Sequence, residues 1–199
     1  MLSVTILILG LLLPQVGITP PQNPGLAAKI RAMVKADQQL RMEAIELLKQ
    51  GKMTKEKADK LSDIDRHNTN QMKQIVKTYG WPTFTLVGRQ AAGDAWLLVQ
   101  HADLDPKFQR LCLDLMGPLL DQGEVSKANY AYLTDRVLSA EGKKQIYGTQ
   151  FVQGKDGRWN PKPVEDPENV DRRRAEMGMP SLAEYKKMLE EMYGTRPPN

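Results

Sequence analysis

The sequence predicts a mainly α fold, a compact multi-helix domain carrying one small β-hairpin. Three observations lead there. Apolar residues recur at helical spacing over most of the chain, glycines close the periodic stretches, and a single segment around Gly154-Lys155-Asp156-Gly157 has the turn chemistry of a hairpin. A chain of 199 residues that is 41% hydrophobic and 26% charged, with mean hydropathy −0.49, fits one globular body. The same figures exclude a disordered acidic tail and a multi-span membrane protein.

The elements follow in order. The first 28 residues carry no charged side chain, and Leu2 to Leu13 form a predominantly apolar run interrupted only by Ser3, Thr5 and Gly10. Crossing a bilayer core takes roughly 20 apolar residues, whereas the apolar region of an export signal needs about 7–15. Residues 1–19 are therefore expected to be a signal peptide and the protein to be exported, periplasmic or extracellular, with membrane attachment only if that segment stays uncleaved. A Pro-rich linker is expected at 20–25 and a single domain at 26–199. Leu26, Ile30, Met33, Val34, Leu40, Ile45 and Leu48 mark a first helix that Gly51 ends. Thr54 opens a second helical stretch that runs, with one break, to Gly80. Trp81-Pro82-Thr83 reads as a turn, because the residue before proline is pushed out of the helical region. Ala91 to His101 is so apolar that it must be buried nearly all round. Phe108 to Leu120, entered through Asp105-Pro106, and Ser126 to Ala140 are further amphipathic helices. Gln145 to Asn160 is the hairpin. Asp166 to Glu176 and Ser181 to Met192 close the chain as helices with Asp and Ser at their N-caps.

Composition narrows the function classes. One cysteine, Cys112, precludes an intramolecular disulfide framework, and two histidines, His67 and His101, exclude a three-histidine metal site. Lys29 to Lys77 holds 12 basic and 7 acidic residues, an excess of +5, against 16 basic and 17 acidic from Arg89 onward. Lys and Glu alternate there as on a solvated helix face, and aromatics are only 6%, so nucleic acid is not an expected partner. No phosphate loop, nucleophile elbow, HExxH, calcium loop or CxxC occurs. No metal or cofactor is expected, a one-His, two-Asp metal site being the alternative.

What remains are polar residues where the pattern calls for apolar ones. Gln100-His101-Ala102-Asp103 ends the most hydrophobic helix, so His101 lies near the interior, with Asp103 placed to orient its ring; histidine plus carboxylate is the minimal acid–base unit. A histidine capping its own helix reads the same way, and Asp105 before Pro106 looks like an N-cap. Asp135 sits at the margin of the buried arc of its helix, so its carboxylate needs a partner, either His101 or an inter-helix ion pair. Arg136 points about 100° away, placed to bind an anionic group. In a strand, Gln145, Tyr147 and Thr149 would share one face and Gln150 the other, the floor of a polar pocket or a solvated edge. Asp63, Asp65, Arg66 and Asn68 form a weaker group, for which ion pairing with a neighbouring helix is expected. His67 is expected to be exposed.

Gly80-Trp81-Pro82, Gln100-His101-Ala102-Asp103, Ala131 to Arg136 and Tyr147-Gly148-Thr149-Gln150 together resemble a widespread bacterial family known only as a domain of unknown function. The resemblance covers roughly residues 65–185, including Asp166 and Arg172 to Gly178. It implies a shared fold with a shared polar site, often in exported proteins, and no established activity. The leading expectation is an acid–base, hydrolase-like domain with His101, Asp103 and Asp135 as catalytic residues. Gln100, Arg136, Tyr147 and Gln150 would hold a small molecule or peptide. The alternative is a cell-envelope binding module whose polar residues form a structural hydrogen-bond network.

Overall fold

The computed structural model describes residues 20–154 and 157–193; the expected signal segment at 1–19 lies outside them. The chain is mainly α. Its elements are α1 (Pro24–Lys49), α2 (Lys55–Tyr79), α3 (Phe84–Gln100), α4 (Pro106–Met116), α5 (Lys127–Ala140), β1 (Phe151–Gln153), β2 (Trp159–Pro161), α6 (Val170–Glu176) and α7 (Leu182–Tyr193). No helix among the described residues is long and apolar enough to cross a membrane.

Helix ends follow their local chemistry. Asn23 caps α1 by accepting from the Leu26 N–H at 2.9 Å, and Pro24 takes the first turn, where its missing N–H costs nothing. The expected linker is thus partly structure: Gln22 and Asn23 donate their backbone N–H groups to Thr85 and Leu86 at the start of α3. Thr54, Thr83, Asp105 and Ser126 cap α2 to α5 in the same way. Ser181 and Glu184 exchange a reciprocal capping box at α7. α2 runs without the expected break, because its polar middle is carried by ion pairs instead of apolar contacts. Asp166 stands at the N-cap of the 3-10 turn Pro167–Asn169 that leads into α6, in the left-handed region at φ 43°, but makes no capping hydrogen bond; its carboxylate accepts from the side chains of Asn169 and Arg173.

α3 is the centre of the molecule and packs against α1, α2, α4 and α5. Its alanines at 91, 92 and 95 are buried and let α1 approach closely, while Leu98 and Val99 fill the core with Ile30, Met72 and Leu133.

The hairpin is real but short, pairing Phe151 with Pro161 and Gln153 with Trp159. Gln145 to Gln150 is not a strand, apart from one bridge between Gln145 and Val164. The physical reason is that the donors a ladder needs are taken: the N–H groups of Ile146, Tyr147 and Thr149 all donate to the Asp135 carboxylate. Gly148 then turns the chain at φ 67°. A Cβ there would lie 3.0 Å from Leu182 Cδ1. Gly148→Ala is therefore expected to lower the unfolding free energy by about 1–2 kcal/mol, the cost of a left-handed alanine, measurable by urea titration.

Candidate functional site

α1 carries a carboxylate in its buried stripe. Asp37 follows Ile30 by seven residues, nearly two full turns, so it falls on the same arc and is fully buried. A buried carboxylate requires partners, and Asp37 has three. Gln38 Nε2 donates to Oδ2 at 2.8 Å, Arg41 Nε lies 3.2 Å from the same oxygen, and His101 Nδ1 lies 3.0 Å from it. Arg41 also reaches across to Asp65 on α2. Four side chains from three helices thus converge at the carboxyl end of α3.

His101 is the C-cap residue of α3, and its side chain is 17% exposed. The helix terminus and Asp37 both put negative potential on the ring. Nδ1 lies 3.0 Å from the Asp37 oxygen but does not meet it as an aligned hydrogen bond. Nε2 makes no hydrogen bond among the described residues and is not among the buried polar atoms that lack partners.

The environments of the two carboxyls diverge. For Asp37, burial alone would push the carboxyl up, but the approach of His101 and the charge of Arg41 outweigh it and hold the carboxyl below its ordinary value. For Asp65, burial dominates and pushes the carboxyl up, with Asp37 and Asp103 adding to the rise against Arg41 and His101. Carboxyls driven apart in this way take different roles in acid–base sites.

The rest of the site differs from expectation in its pairings. Asp103 does not orient His101. Arg136 Nη1 donates to both its oxygens at 2.7 Å, and Gln109 Nε2 donates to it at 3.1 Å while also reaching the Val99 and Gln100 carbonyls. Arg136 is consequently matched to a carboxylate and is no open anchor for an anion. Asp135 is not the partner of His101 either: both its oxygens are spent on the loop after α5. That loop is also held through its carbonyls, Arg173 donating to Ile146 and Arg174 to Tyr147. Tyr147 and Gln150 belong to this loop; Gln150 bonds Gln145 and Thr149, not the His101 cluster. Asp135 and Arg136 diverge as the helical spacing requires, one to the loop and the other to α3. Gln100 is beside the cluster, buried, with an unbonded Oε1. His67 is exposed.

Seven buried side-chain polar atoms lack a partner among the described residues. Three lie in the cluster or next to one of its members along the chain: Asn68 Nδ2, one turn beyond Asp65, then Gln100 Oε1 and His101 Nδ1. Buried polar groups are normally satisfied, so each of these atoms is unused hydrogen-bonding capacity. Asp37, Asp65 and His101 each offer a ligand atom within 4.8 Å of the others, a separation a metal ion could span. Arg41 already supplies the cation between the two carboxylates, and a metal would have to displace it. Cys112 is no nucleophile, its thiol being pushed up to about 12 by burial.

Asp37 and Arg41 were missed from sequence, although the signal was present: an Asp at the heptad position of Ile30, then an Arg one turn on, where the stripe should stay apolar. Two surface grooves, of about 560 and 460 Å³, lie away from His101. The cluster is the better candidate site because ionisable groups from separate elements converge there, which a groove's size alone does not supply. No curated protein and no solved structure matches the chain. A family model does match, over residues 24–197, and the chain belongs to that family of unknown function, DUF6624.

Proposed function

We propose that the cluster at the carboxyl end of α3 is the centre of an acid–base enzyme, hydrolytic in its simplest form. His101 moves the proton through its Nε2, ionised Asp37 holds the ring from behind, and Asp65 is the second carboxyl of the site. The observation that carries this reading is the 3.0 Å approach of His101 Nδ1 to a fully buried carboxylate, on a side chain that is itself 17% exposed. Histidine acting as general base or acid contributes typically 10²–10⁴-fold. We place export of the chain through residues 1–19 in the same proposal; amino-terminal sequencing of the secreted protein tests it.

The enzymatic reading is tested with a panel of chromogenic esters, amides and phosphoesters, beside a thermal-shift ligand screen. Wild type is expected to turn over or bind one class, and His101→Ala to lose that signal by at least about 10²-fold while staying folded, its melting temperature lowered by the loss of one Asp37 partner. A signal that survives in His101→Ala would sink it. The second reading, a binding module whose polar residues fix helix packing, is favoured by one observation: the Asp103 carboxylate accepts from both Gln109 Nε2 and Arg136 Nη1, tying α4 and α5 to the end of α3. A ligand shift of equal size in wild type and His101→Ala is the outcome that selects it.

A further inference from the structure

The larger groove runs along α2 and α4 and is independent of the His101 reading. It encloses about 560 Å³, within the ordinary span of small-molecule sites. Its floor is apolar: Val76, Phe108, Leu111 and Leu115. Leu111 is 49% exposed, a large apolar side chain left in water on a helix that buries its other face. Its rim is basic. Lys73, Lys77 and Lys107 line it, opposed by one carboxylate, Asp105.

That carboxylate is already used twice. It caps α4 through the Phe108 N–H, and it pairs with Lys73, whose ammonium also lies 5.8 Å from the centre of the Phe108 ring. Lys77 and Lys107 are exposed and have no ion-pair partner among the described residues. An apolar trough with two uncommitted ammonium groups on its rim is complementary to a molecule with a linear apolar body and a negative head. A peptide or second chain would need more apolar surface than one trough on two helices offers, and a free inorganic anion would leave the floor unused.

We propose that the α2/α4 groove binds a single-chain anionic amphiphile, its chain on Phe108, Leu111 and Leu115 and its carboxylate head between Lys77 and Lys107. Ligands of this class partition between water and apolar surface, so even a shallow trough recovers apolar burial while the lysines select the charge.

The test is calorimetric titration of the full chain with decanoate below its micelle concentration, with decanol as the neutral counterpart. Decanoate is expected to bind at one saturable site. Lys77→Gln combined with Lys107→Gln is expected to weaken it about tenfold, as for the loss of two charge-assisted contacts. Leu111→Asp is expected to abolish binding. All three positions are exposed, and unchanged melting temperatures confirm that the variants fold. Equal affinity for decanol, or decanoate binding that ignores the lysine pair, overturns the proposal. Sedimentation with phosphatidylglycerol vesicles without decanoate binding also overturns it, assigning the face to a bilayer surface instead. Loss of turnover in His101→Ala leaves decanoate binding unchanged, so the two readings fail separately.

Discussion

Asp135→Ala is expected to remove about 3–5 kcal/mol from the unfolding free energy, read from the midpoint of a urea transition. The magnitude follows from what one side chain does. Asp135 is fully buried, and its two oxygens accept from Ile146 at 2.8 Å, Tyr147 at 3.1 Å and Thr149 at 2.8 Å. Alanine leaves those N–H groups without an acceptor in a place water reaches poorly. Each buried orphan donor costs about 1–3 kcal/mol. The loop cannot re-form as a strand, since Gly148 turns it away and Arg173 and Arg174 hold its carbonyls. Asp135→Asn keeps one acceptor oxygen and is expected to lie between wild type and alanine. A loss under about 1 kcal/mol for the alanine variant would mean that the loop is held from the α6 side alone.

Asp135 also shows why the fold was more legible than the site. Helices are written locally: Thr54, Asp105-Pro106 and Ser126 announce their starts, and apolar periodicity supplies each buried face. The hairpin was legible through its glycine turn for the same reason. Pairings between elements are not local. Periodicity places Asp135 at a buried margin and Arg136 about 100° away, which is correct. It carries no information on whether the nearest donor is an imidazole on α3 or three amides eleven to fourteen residues on. Gln145 to Gln150 read as a strand because alternation resembles one, and only the tertiary capture of its N–H groups by Asp135 excludes that. His101 was legible because a lone histidine ending an apolar helix is conspicuous. Its partner was not, because Asp37 lies 64 residues away, in a helix whose composition looks ordinary.

Asp37→Asn is the second large effect, and its pH dependence identifies the ionised group. At pH 7 the substitution leaves the Arg41 guanidinium without the buried carboxylate it pairs with and removes the oxygen that faces His101 Nδ1, at an expected cost of about 3 kcal/mol. The Asp37 carboxyl is held below its ordinary value of 3.8, because His101 and Arg41 outweigh the penalty of burial. A group depressed in the folded state contributes stability that is fully present above its unfolded value and lost as pH falls through the folded one. The part of the Asp37→Asn deficit that comes from the carboxyl's own titration is therefore expected to be fully present at about pH 5 and above. It should shrink below about pH 4, where wild type too carries a neutral side chain at this position. Asp65 runs the opposite way. Burial raises its carboxyl, so ionising it costs stability as pH rises from 3.8, and the deficit of Asp65→Asn should diminish toward neutral pH. Urea titrations at pH 3.5, 5 and 7 on the two variants separate these slopes. Parallel curves for both would show that the carboxyls are equivalent and would remove the physical ground for giving Asp37 and Asp65 different parts beside His101.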